Sequence, residues 1–430
     1  MSNGNPIVIG LTGSFGSGCS TLGYGLAGAG FKVISLSKVV HDIWGERNPE
    51  RSPESKTRQE LQIIGNELRK EKGNSYLADI ALKESAFPKV KEDKLVFDSI
   101  RHTEEVEVFR RSFPNFILIT VISSLDERWA RLGGQYESRK MTRRDFLEDE
   151  ERDANEDIPN GQQVRLCVDN ADIAIRNYKP LRVEHTRKDE LRNKAEPLIA
   201  LVTGENTRPP SPEEYMMAVA YTHALSSMCY KRQVGAVIQD ENGIVLGVGC
   251  NNNPSPLDPC HLQWGECYRD IYKRDLFEDL KENSRCPKCE LPLNETLSTD
   301  YKCNNCGFDV DKYYVRDRAL SRCSALHAEE AAIINSGGKN LKGCIMYTTT
   351  FPCFLCVQKI IGSGIKRVVY CEPYPDPDAA GLIRDVNEKL KPQEIEVYPF
   401  EGIKARAYFR VFGGWRKKQE TMIDEKRRMT

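Results

Sequence analysis

The chain carries His327-Ala328-Glu329 and, some twenty residues later, Pro352-Cys353-Phe354-Leu355-Cys356. An imidazole and two thiolates in this pattern demand a fold that brings two separate segments to one metal ion. Three such ligands leave the fourth tetrahedral position of zinc to water, and this separates a catalytic site from a closed structural one. Zinc lowers the pKa of such a water to about 7. Glu329, two residues beyond the histidine, is placed to move protons. The flanking residues agree with this geometry. Ala328 to Ile334 favours helix, Cys344 to Thr350 is β-branched and aromatic like a strand, and Pro352 is expected to open a second helix. Both ligand sets then sit at helix N-termini, where the macrodipole favours thiolate over thiol. A closed site of the zinc-finger type would need a fourth Cys or His close by and would have no use for Glu329.

The pattern H-x-E…P-C-x-x-C matches the signature of zinc deaminases that act on cytosine or adenine rings, in which the glutamate is the general acid/base and not a ligand. From about Ser211 to Phe412 the chain resembles the deoxycytidylate deaminases. The resemblance is carried by Tyr215 to Tyr221 (YMMAVAY), Cys229 to Ile238 (CYKRQVGAVI) and Gly249-Cys250-Asn251-Asn252-Asn253-Pro254. It implies a cytidine deaminase-like α/β/α domain in which Asn251 contacts the substrate sugar and Arg232 approaches a phosphate. Cys250 stands where that family has an aromatic residue. Met216, Val219, Ala220 and His223 share one helical face, and the simplest reading of that face is core.

Cys286-Pro-Lys-Cys289 and Cys303-Asn-Asn-Cys306 are two C-x-x-C knuckles. Four thiolates with no open position describe a structural zinc ribbon, inserted at about residues 284–308. The expected cofactors are therefore one catalytic and one structural zinc. Whether Cys260, His261, Cys267 and Cys323 bind a further zinc is open at this level, since free buried cysteines are common.

The N-terminal half begins differently. Pro6 to Thr12 reads as a buried strand leading into Gly13-Ser-Phe-Gly16-Ser-Gly18-Cys19-Ser20-Thr21, the frame of a phosphate-binding P-loop followed by a helix. Such a loop cradles phosphates with backbone N–H groups, and Ser20 or Thr21 could supply a hydroxyl to Mg2+. Cys19 occupies the place of the lysine that bridges terminal phosphates. Further strands are expected at Phe31–Leu36, Leu95–Asp98, Phe116–Ile122 and Ala171–Ile175, giving a parallel α/β domain in which Asp98 ends a strand as a candidate magnesium-site residue. The stretches GLTGSFGSGCST, SLSKVVHDIW and VFDSIRHTEEVEVFRRSF resemble dephospho-coenzyme A kinases and related nucleotide kinases. The acid expected after the second strand is replaced by Ser37-Lys38. Without that acid and the lysine, the resemblance implies a P-loop kinase-like domain that does not transfer phosphate but senses a nucleotide or serves in assembly. Arg139 to Asp157 resembles a kinase lid segment, although a charge run is more often a solvated helix face.

The expected division is a P-loop kinase-like domain at 1–203, a proline-rich linker at 204–212, a deaminase domain at 213–412 and a charged tail at 413–430. Lys plus Arg number 62 and Asp plus Glu 63, so the balance offers no general attraction to nucleic acid or anionic membrane. Small substrates fit this better than polymers. An RNA- or DNA-editing cytidine deaminase would be expected to carry a basic groove with stacking aromatics, and a scaffold built on a dead site would have no need of Glu329. Of the fifteen cysteines, six are explained by ligand spacing, and the odd count argues against complete disulfide pairing, so a reducing cytoplasm is expected. No apolar run reaches membrane-spanning length. The whole arrangement resembles the bacterial anti-phage dCTP/dCMP deaminases. That resemblance implies a zinc-dependent hydrolase that converts dCTP, dCMP or both to deoxyuridine nucleotides and so depletes the dCTP pool. It also implies a homo-oligomer and a regulatory nucleotide, and it leaves open an RNA or protein inhibitor.

Overall fold

The computed structural model describes residues 6–85, 94–154, 160–178, 184–299, 301–314, 322–374, 376–390 and 394–414. These form two compact units, Met1–Val219 with Tyr347–Cys353 and Lys366–Thr430, and Ala220–Met346 with Phe354–Ile365. No helix among the described residues is long and apolar enough to cross a membrane.

The first unit is organised by β1 (Ile7–Thr12), whose residues are buried almost throughout. Burial on both faces is what a parallel strand between helical layers requires. Around it lie β2 (Lys32–Ser35), β3 (Lys94–Asp98), β4 (Phe116–Ile122) and β5 (Ile173–Arg176), all parallel to their neighbours. β4, with the sequence FILITVI, is buried at every position. One core contains Trp44, Phe97, Phe109 and Phe116, and Phe97 stacks on Phe109 with ring centroids 4.2 Å apart. A separate core gathers Leu22, Leu26, Ile119, Ile175 and Leu198.

A sixth strand, β11 (Gly402–Ile403), pairs antiparallel with β5, so the order is β11-β5-β4-β1-β3-β2. Ile403, Ala407 and Phe412 enter the same core as Leu22 and Ile119. The structure thus departs from the expected boundary: residues 402–412, assigned by sequence to the C-terminal domain, complete the first sheet. Gly204 to Ser211 has no helix or strand, as its prolines suggest, but it is not a free tether. Arg208 pairs with Glu214 at 2.6 Å, and Glu214 also accepts the Ser211 and Ile403 backbone N–H groups at 2.7 and 2.9 Å.

The charged run from Arg139 is also more than a solvated face. In the helix Arg143–Ala154, Asp149, Glu150 and Asp153 are buried. They take bonds from the Tyr136 hydroxyl, Arg128 and Arg58, respectively. Residues 155–157 of the run and 415–430 of the tail lie outside the described residues.

β6 (Gly235–Gln239) and β7 (Val245–Cys250) form an antiparallel hairpin. With β8 (Ile345–Thr350), β9 (Arg367–Glu372) and β10 (Glu396–Pro399) they make a second sheet in the order β10-β9-β8-β6-β7. The helix Ala328–Asn335 lies directly on β7. A Cβ at Gly247 or Gly249 would collide with the carbonyl oxygens of Ala332 and Ala328. Glycine is what permits that approach.

Truncating Phe97 to Ala should cost about 3–5 kcal/mol, because it opens a cavity at the centre of an aromatic stack. Urea unfolding of the full chain measures this, and a loss below about 1 kcal/mol would mean the stack collapses without penalty.

Candidate active site

His327 is the N-cap residue of the helix Ala328–Asn335. Cys353 immediately precedes the helix Phe354–Gly362, and Cys356 lies in its first turn. This helix begins at Phe354 and not at Pro352, so Cys353 takes the capping position. The ligand atoms of His327, Cys353 and Cys356 lie within 4.8 Å of one another, and both cysteines are buried. His327 Nδ1 is 3.3 Å from Cys356 Sγ. The N–S edge of a zinc tetrahedron is about 3.6 Å, so the arrangement is close to that of ligands around one ion. Glu329, in the first turn after His327, is only 4% exposed, and its Oε2 is 3.4 Å from Cys356 Sγ. Three soft or borderline donors beside a buried carboxylate fit a zinc with an open position.

Local contacts hold this arrangement. Glu330 and Lys359 pair at 3.2 Å and tie together the two helices that carry the ligands. The Leu326 N–H, one residue before His327, donates to the Asn252 carbonyl at 3.0 Å. Neither contact has a spacing signature in the sequence. Asn251 Oδ1 accepts the Val234 N–H at 2.7 Å, and its Nδ2 donates to the Arg232 carbonyl at 2.7 Å. The two residues expected at the substrate are therefore adjacent, with Asn251 clamping the backbone that presents half-buried Arg232.

Cys286, Cys289, Cys303 and Cys306 also bring their sulfurs within 4.8 Å of one another. Cys286 and Cys306 Sγ are 3.5 Å apart, and Cys289 and Cys303 Sγ are 3.6 Å apart. These separations exceed a disulfide bond of about 2.05 Å and approach the S–S edge of about 3.8 Å in a four-thiolate zinc site. A small core of Phe277, Leu280, Leu293 and Val310 supports the knuckles, with Phe277 stacked on Tyr301 at 3.7 Å. Cys260, His261, Cys267 and Cys323 form no comparable group. Among the described residues only the two sets above gather their ligand atoms so closely, and Cys260 Sγ lies against Ser324 Oγ at 3.3 Å.

In the first unit, Gly13, Gly16 and Gly18 have φ of 153°, 77° and 108°. A Cβ at Gly18 would run into the Asn177 amide. The loop carbonyls of Phe15, Gly16 and Ser17 are held by Arg128 at 3.2 Å, Arg131 at 2.7 Å and Asn177 at 2.6 Å. Sequence reasoning did not identify these three holders, which follow the loop by more than a hundred residues. Cys19 starts the helix Cys19–Gly28, and burial, with Asp98 nearby, pushes its thiol up to about 12. Ser20 Oγ donates to Asp98 Oδ2 at 2.9 Å; burial raises the pKa of that carboxyl. Thr21 is half-buried in the same first turn.

Residues 210–372 match the family profile described as the cytidine and deoxycytidylate deaminase zinc-binding region. Over 168 residues the chain is 30% identical to the deoxycytidylate deaminase of Enterobacteria phage T2, covering 37% of this chain and 79% of that protein. The chain belongs to the cytidine and deoxycytidylate deaminase family. It is also 29% identical over 172 residues to the Homo sapiens deoxycytidylate deaminase, covering 40% of this chain and 71% of the relative. With the Schizosaccharomyces pombe deoxycytidylate deaminase it shares 28% over 184 residues, covering 42% of this chain and 44% of the relative. The chain thus spans less than half of that yeast protein's length. The family-matched region contains both clusters of metal ligands.

Metal analysis of protein purified with zinc should find about two ions per chain, one for each ligand group. Replacing Cys289 and Cys306 with Ser should remove one and spare the other. Two ions retained in that variant would remove the four-cysteine site from consideration.

Proposed function

We propose that the chain is a zinc-dependent deaminase of deoxycytidine nucleotides, converting dCMP, dCTP or both to the deoxyuridine forms with release of ammonia. The observation that carries this reading is the buried Glu329 carboxylate against the His327, Cys353 and Cys356 ligand set. Family membership and deoxycytidylate deaminase relatives covered over 71% and 79% of their length support the same chemistry. Zinc held by these three residues would supply an acidified water. Glu329 would take one proton from the attacking water and pass it to ring N3 as the oxygen bonds to C4, then carry the remaining proton of the new C4 hydroxyl to the amine, which leaves as ammonia as the C4–N bond breaks, so one carboxylate serves as base and acid in turn. Its burial keeps bulk water from competing for the proton. Asn251 orients the sugar by way of the backbone it clamps, and Arg232 receives the phosphate end.

The first unit belongs to the same reading as a P-loop kinase-like domain that binds a regulatory nucleotide. With the Phe15, Gly16 and Ser17 carbonyls turned outward to Arg128, Arg131 and Asn177, the loop is fixed in advance of any ligand. Ser20, Thr21 and Asp98 are then the candidate holders of Mg2+. Cys19 offers no cation where a phosphoryl-transfer enzyme places its lysine, so binding without transfer is expected. The four cysteines hold a structural zinc ribbon. The physiological extension of the reading is depletion of dCTP during phage infection.

Glu329→Gln should retain zinc and fold while losing roughly 10²–10⁴-fold in turnover. Ammonia release from dCMP, dCTP, CMP and CTP by the zinc-loaded protein tests both the reaction and its substrate. Normal turnover in the variant would refute the assigned role of Glu329. Replacing Ser20 and Thr21 with Ala should abolish the response of that activity to added deoxynucleotides; an unchanged response would refute regulation through the glycine-rich loop.

A further inference from the structure

A cleft of about 420 Å³ opens beside the start of β4, lined by Arg110, Phe113, Phe116, Asp172, Arg406 and Arg410. This volume lies within the range of about 300–1,000 Å³ usual for small-molecule sites. The first strand runs from Ile7 to Thr12 into the glycine-rich loop, and β4 runs parallel to it, so the start of β4 is at the opposite end of the sheet from that loop. Neither the deaminase chemistry nor the glycine-rich loop accounts for this cleft.

Its charges do not balance internally. Asp172 is buried, and its Oδ2 accepts the Leu118 N–H at 2.9 Å. The same carboxylate faces two guanidinium groups, Arg410 at 3.4 Å and Arg110 at 3.8 Å. Arg110 donates through Nη2 to the Asn170 carbonyl at 2.7 Å, but its Nη1 is buried without a hydrogen-bond acceptor, with Glu107 at 3.7 Å. Arg406 is exposed and reaches the neutral Asn170 Oδ1 at 3.4 Å. Arg406 and Arg410 stand four residues apart on the helix Ala405–Phe412, where like charges repel across one turn. Burial and the neighbouring Arg406 and Arg410 lower the pKa of Arg110. A dianionic group would relieve that repulsion, give Arg110 Nη1 an acceptor, and match the forked geometry of guanidinium groups.

We propose that this cleft binds a small phosphorylated ligand through Arg110, Arg406 and Arg410, with Phe113 and Phe116 in its apolar wall. Such a ligand bridges the helix Thr103–Ser112 to the helix Ala405–Phe412. It thereby fastens β11 to the edge of the first sheet. The site is independent of the deaminase reading.

Inorganic pyrophosphate is the probe, applied to the zinc-loaded full chain at constant ionic strength. Equilibrium dialysis of labelled pyrophosphate should give one more equivalent bound to the native chain than to an Arg406→Ala, Arg410→Ala variant, or an affinity at least tenfold weaker in the variant. Both substituted side chains are exposed, so the fold should survive the change. Hydrogen exchange supplies the local readout: pyrophosphate should slow exchange in residues 403–412 of the native chain and leave the variant unaffected. A Ser20→Ala, Thr21→Ala variant should keep that protection, which separates the cleft from the glycine-rich loop. Equal stoichiometry and affinity in native and double-arginine proteins would overturn the proposal, as would protection confined to residues 13–21. Tighter binding of citrate than of pyrophosphate at this site would overturn the phosphate assignment.

Discussion

The candidate active site depends on how closely a helix backbone can approach a strand. Gly247 and Gly249 leave room for the carbonyl oxygens of Ala332 and Ala328 to rest against β7. That contact sets the depth of His327 and Glu329, which occupy the first positions of the same helix. Any side chain on β7 at those points would lift the helix and carry the imidazole away from the two thiols. The Glu330–Lys359 pair and the Asn252 carbonyl then refine a placement already made by backbone contact. Preorganisation of this kind is what lets a metal bind without first having to assemble its ligands.

The sequence was most legible where chemistry fixes spacing. The histidine, glutamate and cysteine pattern and the paired C-x-x-C knuckles identified groups that the structure does bring together. Strands such as β4 were legible because six apolar residues among seven, most of them β-branched or aromatic, leave few alternatives. Long-range polar contacts were not. Arg128, Arg131 and Asn177 hold the glycine-rich loop from distant segments, and nothing in their local sequence marks them as its partners. The charged run around Asp149, Glu150 and Asp153 was misleading for the same reason, since its role depends on Tyr136, Arg128 and Arg58, brought in from elsewhere in the chain. Two residues of β11 were too short to give a periodic signal, and the proline-rich stretch at 204–212 suggested a boundary that the chain later crosses.

Within the first unit, these polar contacts form a continuous scaffold. Arg128 holds the Phe15 carbonyl and also Glu150, while Asp126, two residues earlier, binds both Arg143 and Arg384. Arg384 belongs to the helix Pro377–Leu390, which follows β9. β9 in turn meets the segment leading to Cys353, through the bond from the Phe351 N–H to the Glu372 carbonyl at 2.8 Å. The glycine-rich loop and the approach to one metal ligand are thus linked through helices and ion pairs. Coupling between such sites still requires two alternative arrangements of these elements, not merely contact.

The late return of the chain to its first sheet also bears on its synthesis. β5 emerges early, with one edge still carrying unpaired backbone N–H and C=O groups, and its partner β11 lies more than two hundred residues further on. Until that partner leaves the ribosome, the growing chain exposes a template for strand addition. The nascent N-terminal half therefore has a period of vulnerability set by the time taken to translate the residues between β5 and β11.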